Sequence, residues 1–151
     1  MAQLKSLSIA GNPVVNYVIE EGTVIKSVTH GATAHETVWN YRKYNNNYIE
    51  MWTCAKLNTE INIAGQRDDD WVAELPYSII YGNDTRLEVN MVSNTTPLWC
   101  GHIFLKNAQG NLSFSGNGNY VSWSSYNFQT SGTTKAENGV GWNIFVSGTL
   151  T

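Results

Sequence analysis

Short apolar runs, rich in Val, Ile, Thr and aromatic residues, recur along the chain and are divided by clusters of Asn and Gly. Such runs read as strands and such dividers as turns. The pattern predicts strands over 14–20, 23–30, 36–44, 48–54, 57–64, 71–75, 77–81, 86–93, 98–106, 111–115, 120–128 and 142–150. Glu21-Gly22 reads as a turn. Pro76 reads as an edge or bend, because proline cannot donate to a ladder. Residues 65–70 and 130–141 read as polar loops. No segment sustains helical periodicity over eleven or more residues.

The clearest element is the hairpin 38–44/48–54. Alternation puts Trp39, Tyr41 and Lys43 on one face of its first strand and Val38, Asn40, Arg42 and Tyr44 on the other. In its second strand Tyr48, Glu50, Trp52 and Cys54 share a face, with Ile49, Met51 and Thr53 opposite. The loop Asn45-Asn46-Asn47 should place its last residue at positive φ, the region Asn tolerates best after Gly. Short strands at regular spacing predict an all-β fold, an antiparallel two-sheet sandwich of jelly-roll type. The expected organisation is a lead-in over 1–13 and one β-sandwich domain over 14–151.

Composition narrows the function classes. The chain has 151 residues, 12% of them aromatic and only 14% charged. Asn, Ser and Thr make up roughly 30% by count, so amides and hydroxyls carry the polar surface. A coiled coil needs abundant Ala, Glu, Lys, Leu and Arg, and a disordered chain lacks aromatics. The formal charge is −3, with nine basic residues and no basic run. Nucleic acid is therefore not an expected partner, since such binding leans on clustered Lys and Arg. No apolar stretch is long enough for a membrane span, so membrane insertion is not expected. The first residues carry no secretory leader pattern, so synthesis in a cytoplasm is expected. Cys54 and Cys100 are expected to be reduced and mostly buried thiols.

Three segments carry a resemblance. They are Val15-Asn16-Tyr17-Val18-Ile19-Glu20-Glu21-Gly22, Trp39-Asn40-Tyr41-Arg42-Lys43-Tyr44 and Ile49-Glu50-Met51-Trp52. Together they resemble the carboxy-terminal domain of tail-fibre, minor structural or receptor-binding proteins of phages and prophages of Gram-positive bacteria. The chain departs from that pattern at Asn47, Met51 and Thr53, and in an extra segment over 23–36. The resemblance covers the first third of the chain well and the rest only by strand order. It implies a homotrimeric β-sandwich at the tip of a virion tail fibre, facing host cell-surface polysaccharide. In this setting Trp39, Tyr41, Arg42, Glu50 and Trp52 are structural residues of the hairpin. Arg42 and Glu50 are candidates for a cross-strand ion pair.

The remaining candidates are weighed by chemistry. Aromatic rings suit the C–H faces of sugars, while amides and carboxylates suit hydroxyls. Asp69, Asp70, Trp71, Trp123, Tyr126 and Asn127 are the candidate glycan-binding residues on that ground. Asp68-Asp69-Asp70, read as a loop, is a weak calcium candidate, and no other cofactor is expected. His30 and His35 are weak candidates for a metal on a trimer axis. His102 is expected in the core or an interface. No catalytic residue is proposed, because the acids are scattered and glycoside hydrolysis needs two held close together. The expected function is non-enzymatic glycan binding by a trimeric fibre tip. The alternatives are a purely structural fibre or baseplate module and a free-standing lectin-like module.

Overall fold

Twelve strands and no helix make up the described residues of the computed structural model. Those residues are 8–9, 12–13, 16–56, 61–64, 67–92, 98–113, 116–127, 133–136 and 141–151. At 8–9, 12–13, 61–64, 67–70, 98–99, 126–127 and 133–136 the description covers the backbone alone. The strands are β1 (Ser8–Ile9), β2 (Asn12–Pro13), β3 (Val18–His30), β4 (Thr33–Tyr44), β5 (Tyr48–Lys56) and β6 (Ile61–Ala64). They continue with β7 (Arg67–Tyr81), β8 (Arg86–Val92), β9 (Leu98–Lys106), β10 (Gly116–Asn127), β11 (Thr133–Ala136) and β12 (Gly141–Leu150). Among the described residues no helix is long and apolar enough to cross a membrane.

Eight strands form one antiparallel sheet in the order β8-β12-β5-β4-β3-β7-β10-β9, and β12 pairs again with β7. That last pairing, Thr149 opposite Ile80 and Leu150 opposite Ile79, closes β12, β5, β4, β3 and β7 into a five-stranded barrel. Strand β8 flanks it on one side, and β10 and β9 on the other. The expectation of two separate sheets is thus corrected to one sheet that curls and closes. The physical reason is strand length. Strands of 13, 12 and 15 residues (β3, β4 and β7) are long enough to coil and serve different neighbours at their two ends.

Two of those long strands were hidden by residues that usually break strands. Gly22 lies inside β3 because the Tyr41 ring crosses it. A Cβ there would stand 2.9 Å from the Tyr41 hydroxyl and 3.1 Å from the ring. Pro76 lies inside β7 at a bulge. The β7–β10 register passes from Glu74 opposite Tyr120 to Ile79 opposite Gly118, so the intervening residues of β7 lack ladder partners on β10. A residue without an N–H is tolerated there. The polar segments differ as well. Residues 67–70 are strand, with Asp68 opposite Ser125, and 133–136 form β11 against β6. The expected strand over 14–20 lies partly outside the described residues, and its residues 18–20 open β3; of the expected strand over 111–115, the described residues 111–113 contribute an isolated bridge, Leu112 to Lys106.

The hairpin behaves as its alternation predicts. Trp39, Tyr41, Ile49, Met51 and Thr53 point inward and are buried, while Asn40, Arg42, Glu50, Trp52 and Cys54 point outward. Each loop asparagine has work to do. Asn45 exchanges bonds with Tyr17, its N donating to the Tyr17 carbonyl (3.1 Å) and its Oδ1 accepting from the Tyr17 N (3.0 Å). Asn46 Oδ1 accepts from the Tyr48 N. Asn47 has φ of 64°, as expected, and its Nδ2 donates to the Leu150 carbonyl at 3.1 Å. The hairpin loop is thereby tied to the last strand at the point of barrel closure.

The core is dominated by indoles. Trp39, Trp71, Trp123 and Trp142 are all fully buried. Trp71 and Trp123 face each other across β7 and β10, nearly parallel at 13° with centroids 5.9 Å apart. Trp142 meets Trp71 at 4.0 Å. At one end of the barrel a polar set joins β3, β4 and β7. The Tyr41 hydroxyl donates to Glu20 (2.8 Å), and Lys43 donates to the same carboxylate (3.0 Å). Lys43 also sits 3.9 Å from the centroid of Tyr77.

Two outcomes follow. Asn47→Gly keeps the backbone geometry and loses the side-chain bond, costing about 0.5–1.5 kcal/mol. Asn47→Val also pays for positive φ, roughly 1–2 kcal/mol more; urea unfolding of both variants measures the difference. The bonds from Tyr41 and then Lys43 lower the Glu20 pKa below its ordinary 4.5. A carboxyl lowered by folding stabilises above its unfolded value and loses that contribution as pH falls through its folded value. Glu20→Gln should therefore lower the melting midpoint at neutral pH, and the gap to the parent protein should close as pH falls through and below the ordinary carboxyl range.

Candidate functional site

The outward face of the barrel carries a cross-strand row. Asn40 on β4 is opposite Trp52 on β5, Trp52 is opposite Phe145 on β12, and Phe145 is opposite Glu88 on β8. Two residues along, Cys54 is opposite Asn143, which is opposite Asn90. These two rows line an open depression of about 390 Å³. That is within the range of small-ligand sites. The placement follows from β alternation alone. Inward positions of β12 take Trp142, Ile144 and Val146, which leaves Asn143 and Phe145 outside.

The rings are held by charge. The Arg42 guanidinium lies over Trp52, 5.3 Å from the centroid, and Arg86 lies over Phe145 at 6.0 Å. Both arginines are themselves engaged. Arg42 pairs with Glu21 at 3.4 Å, and Arg86 binds Glu88 through Nη2 (2.5 Å) and Nε (2.6 Å). Glu50 stands opposite Arg42 in register, but its carboxylate accepts from the Tyr44 hydroxyl at 2.7 Å, which raises the Tyr44 pKa. The expected Arg42–Glu50 pair is replaced by these two bonds. What remains at the depression is two half-buried aromatics, three amides, the Cys54 thiol and one carboxylate already tied to arginine.

None of the residues expected to contact glycan lines this depression. Trp71 and Trp123 are brought together, but inside the core at 0% and 1% exposure, so neither presents a face to a ligand. Asp69 and Asp70 belong to β7, and Tyr126 and Asn127 to the end of β10, all within the segments known by backbone alone. The Asp68–Asp70 segment is strand and not the loop a calcium site would use. His35 is buried inside the β3–β4 hairpin, and His30 packs on Trp71 with centroids 4.5 Å apart. His102 is exposed, at φ of 49°, where a bulge sets two residues of β9 against Trp123. Trp52, expected to be structural, lies on the outward face and lines the depression. Among the described residues no cluster of three or more His, Cys, Asp or Glu could hold a metal.

Asn90, Asn143, Phe145 and Glu88 were missed by reading the sequence. Each sits on the polar side of an alternating strand, and an aromatic on that side (Phe145, Trp52) was the available signal. No family model, curated protein or solved structure matches the chain.

The cysteines separate. Cys54 is exposed at the depression, contrary to expectation, while Cys100 is partly buried. Burial pushes the Cys100 thiol up to about 12, which keeps it protonated at neutral pH. Iodoacetamide at neutral to mildly alkaline pH should alkylate Cys54 quickly and Cys100 only after unfolding, as read by peptide mass spectrometry.

Proposed function

We propose that this chain is a glycan-binding domain at the distal end of a phage or prophage tail fibre, engaging host cell-surface polysaccharide. The observation that carries the reading is the depression floored by Trp52 and Phe145 and edged by Asn40, Asn90 and Asn143. Rings bury the C–H faces of sugars, and amides both donate to and accept from hydroxyls. The sole carboxylate lining the depression, Glu88, is held by Arg86. This arrangement supports binding without hydrolysis, because glycosidases use two free carboxyls across the sugar. The placement on a fibre rests on the resemblance of the 15–22, 39–44 and 49–52 segments to phage receptor-binding domains. A homotrimer would present three such sites, and linked sites gain 10²–10⁴ in avidity without new contacts.

One observation favours the second reading, a purely structural module. Ile25 and Val38 are opposite each other in register on the same outward face, 61% and 53% exposed. An exposed apolar pair of this kind suits a contact between subunits.

The test compares Trp52→Ala and Phe145→Ala with the parent protein in binding to Gram-positive wall polysaccharide by isothermal titration calorimetry. Each variant should keep its circular-dichroism spectrum and lose about tenfold or more in affinity, equivalent to about 1.4 kcal/mol. Unchanged affinity in both would favour the structural module.

A further inference from the structure

We infer that the site is an extended groove for a linear, uncharged glycan chain, running across the strands from β3 to β8 with Trp52 at its centre. This inference rests on the glycan-binding reading and adds ligand length and charge to it. A second depression of about 360 Å³ lies beside the first, lined by Glu21, Gly22, Thr23, Tyr41 and Arg42. Asn40 and Trp52 line both, so the indole is a shared wall and not an end wall. The register explains the continuity. Thr23 is opposite Asn40, which extends the row to Thr23–Asn40–Trp52–Phe145–Glu88 over five neighbouring strands. Four inter-strand gaps of about 4.8 Å make a track of roughly 19 Å, room for about three sugar rings.

Charge decides the class of chain. A polyanionic wall polymer needs free cations along its path, as any phosphate-rich ligand does. Both guanidiniums at this groove are already matched, Arg42 by Glu21 and Arg86 by Glu88. The carboxylates Glu21 and Glu88 line its two ends, and the chain carries a formal charge of −3. An anionic chain laid on the row would meet carboxylates at both ends with no unpaired cation between them. A neutral chain meets two rings and several amides. The groove therefore takes neutral polysaccharide and rejects teichoic-acid-type polyphosphates.

The experiment uses the whole chain and three probes in calorimetric titration: neutral wall polysaccharide, a size ladder of its fragments, and glycerol-phosphate teichoic acid. Affinity should rise about tenfold from disaccharide to trisaccharide and then level off, with no detectable binding of teichoic acid. Thr23→Trp fills the second depression from an exposed position. It should reduce trisaccharide affinity to the disaccharide value and leave the disaccharide unchanged; Thr23→Arg, with a different side chain, should do the same. Glu21→Gln frees Arg42 and should bring measurable teichoic-acid binding. Length-independent affinity, silent Thr23 variants, or a preference for teichoic acid would overturn the extended neutral groove while leaving glycan binding intact. Failure of every saccharide to bind would overturn both.

Discussion

The contact on which the rest depends is the packing of Trp71 against Trp123 and Trp142. Three indoles from β7, β10 and β12 cannot all be buried by a flat sheet. They are fully buried where β7, β10 and β12 turn their inward faces toward one another. Truncating one such ring in a core costs about 3–5 kcal/mol, against a typical total stability of about 5–15 kcal/mol. The indole cluster therefore carries a large share of the stability of the fold. It is also why the wide spacing of Trp residues in sequence, at 71, 123 and 142, ends in a single contact.

Closure on the inside sets the chemistry on the outside. Side chains alternate along a strand, so each inward Trp, Ile or Val obliges its neighbour to face out. On β12 the inward set Trp142, Ile144 and Val146 leaves Asn143 and Phe145 exposed to the outer surface. On β5 the inward set Ile49, Met51 and Thr53 leaves Trp52 and Cys54 there. Register then brings Phe145 beside Trp52 and Asn143 beside Cys54. A slip of one residue between β5 and β12 would scatter the rings and amides. The Asn47 bond to Leu150 guards that register at its end, because it joins the β4–β5 loop to the last residue of β12.

Local chemistry was legible in the sequence where a single hairpin determines it. The two faces of β4 and β5 and the positive φ of Asn47 follow from alternation and from what Asn tolerates. The all-β class follows from run length and turn residues. What was not legible depends on pairs distant in the chain. Gly22 reads as a turn until the Tyr41 ring is seen to cross it, 19 positions later. Pro76 reads as an end until β10 supplies the bulge. Closure rests on two residue pairs between β7 and β12 and leaves no local mark, so a sandwich and a barrel look alike from the pattern of strands. The site suffered the same way. Trp71 and Trp123 are aromatics beside polar residues in the sequence, yet burial is decided by which face of the strand closes inward. Phe145 lies more than 90 positions from Trp52, and only the β5–β12 register joins them.

The rigidity of this surface bears on how such a domain would bind. Binding costs about 0.5–1.5 kcal/mol for each flexible side chain it must immobilise. Here the rings are anchored before any ligand arrives, Trp52 beneath Arg42 and Phe145 beneath Arg86, and each arginine is fixed by a glutamate. The exposed ion pairs add little to stability themselves, since pairs at the surface contribute about 0–1 kcal/mol. Their effect is to hold the aromatic platform in place and to cancel the positive charge that would otherwise attract anions. A shallow, open surface of this kind would bury little of any one ligand. Under the fibre-tip reading proposed above, useful attachment would come from the number of sites presented together.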